Sequence, residues 1–445
     1  MKAEEKNMID IVKFGAVGDG VTLNTEKIQA AIDAAAETGE TVCVPGGVFR
    51  TGTLNLHGVS LHLEAGAVLK ASEDLNDYPP QDYVHNELGV LHAMLVNLGH
   101  DNVTIDGSGT IDLSGKSFYD TSVKNVPESR VPFTQAQIDE CTYPIGTRPS
   151  QCIFFHNSKN ITLRGIRVID APCWTLSFNE CENVKVIGLT IDTDRNVPND
   201  DGIHFCSCKG VIVSDCNISS GDDCIAISGI TNWGKPCEDI VITNCVLRSC
   251  SKAIVIGYIY SHIRNVTISN CIIKESNRGL CFMCNDEGAL VENVRVSNMI
   301  IDTAIRAGNW WGNGEAVCIM GTYHHLANYR DPVPQREAHA CIRNVLLQNL
   351  NCTTENALAV VGENGSVENV HMDHLTVQLK DSENLCVKGR VIDISPAPNT
   401  ARLPEEPTWL YLRGVRNVTV TNAFVAPFHG KTPIAYAEDA EGARF

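Results

Sequence analysis

Asn265-Val-Thr-Ile is one copy of a short pattern that recurs along this chain, a turn-forming residue followed by three residues of mostly β-branched or apolar character. The other copies are Asn102-Val-Thr-Ile, Asn160-Ile-Thr-Leu, Asn183-Val-Lys-Val, Gly210-Val-Ile-Val, Asp239-Ile-Val-Ile, Asn293-Val-Arg-Val, Asn344-Val-Leu-Leu, Asn369-Val-His-Met and Asn417-Val-Thr-Val. Successive copies stand roughly 23 to 29 residues apart, with three gaps about twice as long. Short strands at this period predict an all-β solenoid, a parallel β-helix whose coils stack on one another. A leucine-rich horseshoe is disfavoured because the leucine ladder is missing.

The length of 445 residues would allow two or three domains, but a solenoid grows along one axis and needs no such division. We therefore expect a single domain over 1–445, with repeated coils over about 100–430. The first 70 or so residues should form the first coils and a short helix that caps the open end of the stack. The helix is predicted by Asn24 as N-cap, Gly39 after its end, and one apolar face made of Ile28, Ala31, Ile32 and Ala35.

The nineteen cysteines follow the repeat rather than a disulfide framework. Cys216, Cys245 and Cys271 each fall six residues past the start of a repeat, where Met299 follows in the next coil. This column predicts interior packing rather than metal ligation, because free cysteine behaves as a small buried hydrophobe. Asn-X-Ser/Thr sites such as that at Asn265 stand at the same repeat position, so we interpret them as turn residues rather than glycan acceptors.

Net charge and the start of the chain exclude some classes of partner. A formal charge of −18 disfavours nucleic acid and anionic membranes, and a polyanionic substrate would need a locally positive site. No apolar run is long enough to cross a bilayer. The charged start, Met1-Lys-Ala-Glu-Glu-Lys6, lacks the apolar stretch of a secretion signal, so we expect reduced thiols and a cytoplasmic protein.

Two long excursions, 114–150 and 303–341, leave the repeat and are rich in Pro, Gly and aromatic residues. Such excursions from a rigid scaffold are where binding function concentrates. The second carries Trp310, Trp311, Glu315, Tyr323, His324 and His325. The two tryptophans either stack on sugar rings or form the core of the loop itself, and both interpretations stay open. For the histidine pair we expect a surface position rather than a metal site.

Acidic residues recur on neighbouring coils. Aligning the apolar strands places Asp201 beside Asp223, with Lys252 and Arg278 on the next two coils and Asp222 next to the column. Adjacent coils are separated by one strand spacing, roughly 4.8 Å. Carboxylates at that separation repel one another, so at least one should keep its proton near neutral pH, which is the condition for a general acid beside a general base. The alternative, that each aspartate only forms an Asx turn, accounts less easily for Asp-Asp on two adjacent coils.

The motifs together resemble glycoside hydrolase family 28, the polygalacturonase family. The similarity rests on Phe14-Gly-Ala-Val-Gly-Asp-Gly20, Pro45-Gly-Gly-Val-Phe-Arg-Thr-Gly52, Asn199-Asp-Asp-Gly202 and Gly221-Asp-Asp223, and extends to at least residue 320. The resemblance implies a right-handed parallel β-helix and inverting hydrolysis of a glycosidic bond without a cofactor or metal. It also implies that Asp222 is the general acid, and that Asp201 and Asp223 hold and deprotonate the water.

This chain departs from the family at two motifs. The Gly-His-Gly of the family is Ser251-Lys252-Ala253 here, and its Arg-X-Lys, which holds the galacturonate carboxylate, falls on Cys281-Phe-Met283. Lys252 and Arg278 either replace this carboxylate clamp or form salt bridges with the aspartates. The candidate substrate-binding residues are Asn199, Lys252, Arg278, Trp310, Trp311 and Glu315.

These patterns favour an exo-acting, inverting glycoside hydrolase that acts on a pectic or other plant-derived oligosaccharide. A galacturonide and a rhamnogalacturonan-related substrate both remain open. One alternative is a uronate lyase, an epimerase or a glycosyl-transferring enzyme, with Lys252 or Arg278 as base and Ca²⁺ on the aspartates. A carbohydrate-binding protein without catalytic activity is the second alternative.

Overall fold

A computed structural model of the protein describes residues 8–229, 235–258, 261–285, 288–322, 341–396 and 401–445. Within these residues, 34 strands join one sheet that begins at Met8–Asp10 and ends at Ile434–Glu441. Away from the two ends of the stack, each strand pairs in parallel with the strand one coil before it and the strand one coil after it. The right-handed parallel β-helix implied by the resemblance is confirmed. The number of domains stays a prediction.

The coil has three faces. The first, which the repeat pattern marks, contains Met8–Asp10, Thr41–Val44, Leu61–Leu63, Thr104–Gly107, Lys159–Arg164, Glu182–Ile187, Lys209–Ser214, Cys237–Thr243, His262–Ser269, Leu290–Thr303, Ile342–Thr354, Val367–Leu379 and Thr408–Thr421. The second contains Asp19–Leu23, Gly47–Thr51, Ala67–Ala71, Thr110–Asp112, Arg167–Ile169, Thr190–Asp192, Asn217–Ser220, Val246–Ser249, Ile272–Ser276 and Phe424–Val425, and the ends of the longer first-face strands continue it. The third contains Leu54–Asn55, Leu95–Leu98, Gln151–His156, Trp174–Asn179, Ile203–Cys206, Ile225–Ser228, Lys252–Gly257, Arg278–Cys284, Val317–Gly321, Leu358–Gly362 and Ile434–Glu441, with Thr408–Thr421 pairing here as well.

Short elements decorate the coil. The α-helices are Thr25–Thr38, Gln135–Glu140 and Leu385–Lys388, and the 3₁₀ helices are Ile11–Phe14, Leu75–Asp77 and Gly115–Phe118. Two antiparallel pairs lie outside the main sheet, Val84–His85 with Gly89–Val90 and Val391–Ile392 with Ala401–Arg402. None of the helices in the described ranges is long and apolar enough to span a membrane.

The predicted helix begins at Thr25, buries its four apolar residues against the first coils and ends at Gly39 in the left-handed conformation. One detail differs from the sequence prediction. Asn24 stands at the N-cap position, but its side chain makes no capping hydrogen bond. Its amide group instead donates to the carbonyl oxygens of Val17, Thr22 and Arg50, and its oxygen accepts from the Val17 amide. Asn24 therefore holds the incoming chain against the second face rather than capping the helix.

The repeat asparagines turn the chain into the first face. Asn160, Asn183, Asn265 and Asn293 all adopt positive φ angles, between 54° and 59°, a conformation that asparagine tolerates better than most residues. Their side chains also pair from coil to coil, as in the 2.7 Å bond from Asn183 Nδ2 to Asn160 Oδ1. The interpretation of these residues as turn asparagines is confirmed.

The interior is filled by residues that stack in columns. Cys216, Cys245, Cys271 and Met299 are at most 2% exposed, so the predicted packing column is confirmed. All nineteen cysteines are unpaired and eighteen are buried. The cytoplasmic location stays a prediction.

An aromatic column runs through the third face. Phe155, Phe178 and Phe205 are fully buried, and the ring centroids of neighbouring coils are 5.2 Å apart in stacked geometry. Phe178 contacts a ring above and a ring below, so its removal leaves a cavity that neither neighbour can fill alone.

We expect Phe178→Ala to lower the free energy of unfolding by about 3–5 kcal/mol, since it removes buried surface and creates a cavity. Urea unfolding followed by circular dichroism measures this change. The exposed Phe424→Ala is the control and should shift stability by less than about 0.5 kcal/mol. Equal effects of the two substitutions would contradict a packed interior column.

Candidate active site

The register of the third face brings the acidic pairs together. Ile203 pairs with Ile225 and Ile225 with Ile254, so Asp201, which lies two residues before Ile203, is level with Asp223 two residues before Ile225. Lys252 occupies the same level on the next coil. The column predicted from the repeat is therefore present. It stands where the chain turns from the second face into the third.

A pocket of about 310 Å³ opens over this column. All three predicted catalytic residues, Asp201, Asp222 and Asp223, line it. Four predicted substrate-binding residues also line it: Asn199, Lys252, Trp310 and Trp311. The remaining walls include Glu87, Trp174, His204, Ala226, Ser228, Val255, Tyr258 and Met283.

The three carboxylates differ in their access to solvent. The side chains of Asp201 and Asp223 are 6% and 10% exposed, whereas that of Asp222 is 21% exposed and points furthest towards solvent. Burial raises the pKa of Asp201 well above its ordinary value, the charge of Asp222 raises it further, and Lys252 opposes the shift. Burial likewise raises the pKa of Asp223, with Lys252 opposing it. The cluster therefore holds protons at a pH where exposed aspartates are ionised.

A fourth aspartate supports the cluster from below. Asp200 is fully buried, accepts a hydrogen bond from the Thr193 hydroxyl, and accepts another of 2.8 Å from the backbone amide of Asp222. This second bond links the two coils and fixes the backbone that carries Asp222. Burial raises the pKa of Asp200 well above its ordinary value, although both hydrogen bonds oppose the shift.

Lys252 is the cation of the cluster. Its Nζ lies 2.8 Å from Asp223 Oδ1 and 3.8 Å from Asp222 Oδ1, and donates a 2.9 Å hydrogen bond to Ser251 Oγ. The ammonium group also lies 5.2 Å from the ring centroid of Trp311, within cation–π range. Burial lowers the pKa of Lys252, but the neighbouring carboxylates outweigh it and raise that pKa above the ordinary value. Of the two roles left open for Lys252, the structure shows the salt bridge to the aspartates.

Two predicted substrate-binding residues lie elsewhere. Arg278 and Glu315 are fully buried and pair with each other, with Arg278 Nε 3.1 Å from Glu315 Oε2. Arg278 also donates to the carbonyl oxygen of Asp393, and Glu315 accepts from the backbone amides of Asn313 and Asp393. Neither lines the pocket, and Arg278 does not reach the aspartates. The expected contact with substrate is corrected to a structural role, because the segment after Val391–Ile392 covers this coil and supplies the partners.

The vicinal tryptophans have different environments. Trp310 is 4% exposed and its Nε1 donates a 2.9 Å hydrogen bond to the carbonyl oxygen of Glu140, in the first excursion. Trp311 is partly exposed and packs against Tyr258 at the pocket wall. Trp310 therefore joins the two excursions, while Trp311 presents a ring to the pocket. The predicted positions Tyr323, His324 and His325 lie outside the described residues.

His204 was not predicted from the sequence. Its ring centroid lies 3.7 Å from that of Trp174, its Nδ1 lies 3.4 Å from Asp201 Oδ2, and its Nε2 is 3.2 Å from Ser228 Oγ. Burial lowers the pKa of His204 to about 3, so the imidazole is neutral. Strand alternation was the available signal: Ile203 and Phe205 point inward, so His204 points outward beside the acids.

Glu87 and Arg148 were also missed. Glu87 belongs to the hairpin between Val84–His85 and Gly89–Val90, far from the acids in sequence. Glu87 is exposed as a residue. Its pKa is nevertheless raised, because the pocket walls displace water from its carboxyl group and because the acids opposite carry negative charge. Arg148 donates to Asn199 Oδ1 at 2.9 Å and to the Pro172 carbonyl oxygen at 2.8 Å. Arg148 thereby fixes the turn that precedes Asp201.

The buried acids should make stability depend on pH. A carboxyl group whose pKa is higher in the folded than in the unfolded protein stabilises the fold fully below the unfolded pKa, and loses that contribution as pH rises through the folded pKa. The Asp200→Asn substitution keeps the shape of the side chain but removes its titration. We expect the free energy of unfolding of this variant to fall less than that of the native chain as pH rises from 4 to 8. Urea unfolding across this range measures the difference. The exposed Asp82→Asn should retain the native slope, and an unchanged slope in Asp200→Asn would contradict a raised pKa.

Comparison with known sequences places this site in a family. The sequence model of glycosyl hydrolases family 28 matches residues 35–391, and a rhamnogalacturonase A/epimerase, pectate lyase-like model matches residues 8–57. A probable polygalacturonase of Vitis vinifera is 27% identical over 72% of this chain and 65% of its own length. An exo-poly-alpha-D-galacturonosidase of Dickeya chrysanthemi is 28% identical over 61% of this chain. The matched region spans only about half, 51%, of that relative.

Solved structures share the fold. An exopolygalacturonase of Thermotoga maritima superposes with a TM-score of 0.64 at 22% identity, covering 84% of this chain and 87% of that one. A family 28 exopolygalacturonase of Yersinia enterocolitica gives a TM-score of 0.67 at 19% identity, covering 99% of this chain and 78% of that one. At these identities the similarity establishes the architecture alone.

Proposed function

Because the chain belongs to glycosyl hydrolases family 28, we propose that it is an inverting glycoside hydrolase that acts on pectic oligosaccharides. The observation that carries the proposal is the column of Asp201 and Asp223, with Asp222 beside it, at the base of one pocket. Glycoside hydrolysis with inversion needs one carboxyl group to protonate the leaving oxygen and another to activate water on the opposite side of the sugar ring. Two neighbouring coils supply carboxyl groups for both roles.

The exposure of the acids supports their assigned roles. Asp222 has the most accessible carboxyl group, so it is the one able to reach a glycosidic oxygen and donate a proton to it. Asp201 and Asp223 lie deeper, on adjacent coils, and would hold the attacking water and accept its proton. Lys252 favours the ionised form of both, which a base requires. His204 would border Asp201 as a neutral imidazole and add no charge to the site.

The pocket walls favour action at a chain end on short substrates. The Glu87 hairpin and the Trp310 segment both line the pocket, so it is limited on more than one side. A volume of about 310 Å³ is at the small end for ligand pockets, enough for little more than a sugar unit or two. The relatives named above include an exo-acting galacturonosidase. We therefore include exo action on oligosaccharides in the proposal.

The environment of Lys252 argues against the lyase or epimerase alternative. A lysine base must lose its proton, but the neighbouring carboxylates raise the pKa of Lys252, so it remains an ammonium ion. The same ammonium group, 2.8 Å from Asp223, already supplies the positive charge that Ca²⁺ would bring to the aspartates. Arg278, the other base considered, is fully buried behind the pocket. All three aspartates line the pocket, so a carbohydrate-binding protein without catalytic activity is the less favoured alternative.

We expect Asp222→Asn to lower kcat by about three orders of magnitude or more while leaving the melting temperature nearly unchanged, because it removes only the proton donor. Reducing-end release from pectic oligosaccharides measures the rate, and NMR of the first product formed by the native enzyme should show the inverted anomer. Asp215→Asn, far from the pocket lining, is the matched control. Near-native turnover in Asp222→Asn would place the acid elsewhere, and an unsaturated product would indicate a lyase.

The salt bridge of Lys252 should set the acidic limb of the pH–rate profile. Removing the ammonium group takes away the interaction that opposes the raised pKa values of Asp201 and Asp223, so the base is ionised only at higher pH. Lys252→Met should move the acidic limb of kcat/KM upward by about one pH unit. Lys252→Arg keeps the charge and should leave the limb near its native position. A limb that moves downward or stays fixed in Lys252→Met would show that Lys252 does not tune the base.

A further inference from the structure

The charge of the pocket limits which sugar it can hold. Among the described residues that line it, four carry carboxyl groups, Glu87, Asp201, Asp222 and Asp223, and Lys252 is the single lysine or arginine. Lys252 is 4% exposed and already engaged by two carboxylates, a hydroxyl group and an indole ring. Where these acids are ionised, an acidic sugar entering the pocket would bring a further negative charge close to theirs.

The wall beside the acids is apolar. Ile225 and Ile227 point into the coil, so Ala226 between them points outward, and Val255 pairs with it on the next coil. Met283 continues this wall one coil further on, and all three line the pocket. Tyr258 and Trp311 pack against the same cluster. A carboxylate pressed against this wall would lose its hydration without gaining a partner, which is costly.

The arginine at the start of the strand that carries Met283 is turned away from the pocket. Arg278 begins the coil that carries Met283, but its guanidinium group is fully buried and held by Glu315 and the Asp393 carbonyl. Freeing it for substrate would leave the buried Glu315 carboxylate without its partner, a strongly unfavourable change. The third face therefore offers apolar surface where a uronic acid would need a positive charge.

We propose that the sugar unit held over the three aspartates is uncharged, with a methyl, hydroxymethyl or ester group at C5 packed against Ala226, Val255 and Met283. This inference rests on the proposed hydrolase function and specifies its substrate class. The aspartates would act on the anomeric carbon of this unit, and any acidic sugars of the oligosaccharide would lie outside the pocket.

The identity of this sugar is readable from the new reducing end that hydrolysis creates, whether cleavage is exo or endo. A pool of pectin oligosaccharides from partial acid hydrolysis is first reduced with borohydride, then incubated with the enzyme and reduced with borodeuteride. Mass spectrometry of the deuterated alditols identifies each new end, and Asp222→Asn supplies the blank. Predominantly neutral or ester-bearing ends support the proposal. Predominantly free uronic acid ends overturn it and leave hydrolysis standing, whereas no new ends overturn the hydrolase function and this inference with it.

A charge added to the apolar wall should change this preference. Met283→Lys places an ammonium group on a side chain of nearly the same length, and should raise the ratio of uronic to neutral new ends about 10-fold, since charge-assisted hydrogen bonds are strong. Met283→Gln matches the length without the charge and should change the ratio less than about 2-fold. An equal ratio in Met283→Lys and Met283→Gln would overturn the proposal.

Glu87→Gln provides a second variant at an exposed position, where folding is not at risk. At a pH above the raised pKa of Glu87, where its carboxylate is charged, removing this group lowers the repulsion of an acidic sugar. The uronic fraction should then rise several-fold, and the effect should shrink in 0.5 M salt. A rise that is insensitive to salt, or no rise at all, would contradict an electrostatic origin of the selectivity.

Discussion

The parallel hydrogen-bonded register between successive coils is the constraint on which the rest of this structure depends. Each coil repeats the path of the one before it, so a residue's neighbours are the residues at the same point of the adjacent coils, roughly 4.8 Å away. This rule places Asp201 level with Asp223 and Lys252, although the sequence separates them by tens of residues. The same rule stacks Phe155, Phe178 and Phe205 inside the coil, and the interior stack in turn holds the outer column in register.

The site itself is a balance between burial and charge. Burial raises the pKa values of Asp200, Asp201 and Asp223, and without a nearby cation these groups would remain protonated over a wide pH range. Lys252 opposes this effect from the next coil, at 2.8 Å from Asp223. One ammonium group among several carboxylates leaves the cluster able to hold both a proton and a negative charge. A general acid beside a general base requires both.

The same balance underlies the selectivity proposed for the pocket. The ammonium group that keeps the base ionised is no longer available to an acidic substrate, because its contacts are taken by Asp222, Asp223 and Ser251. In the family resemblance, separate cationic side chains would meet the substrate carboxylate. Here the corresponding wall is formed by Val255 and Met283, which are apolar. In this proposal, Lys252 tunes the catalytic acids, and the apolar wall rather than a pair of cations contacts the sugar.

The sequence by itself determined the coil, the register of its third face and the three acids. Turn asparagines, β-branched strands and interior cysteines recur at one period, and each of these patterns is local or repeats from coil to coil. The sequence could also have indicated His204, because strand alternation places this residue on the outer surface of the coil.

Only the tertiary structure decided what the excursions contribute. Glu87, Arg148 and the segment around Asp393 reach the site or its wall from outside the repeat, and nothing periodic fixes their positions. Arg278 shows the consequence most clearly. Its level on the coil was predictable from the sequence, but whether its side chain faced the substrate depended on Glu315 and Asp393, which bind it behind the pocket. The orientation of such a side chain depends on how irregular segments, distant in sequence, pack against the coil. The sequence of one coil therefore does not predict it.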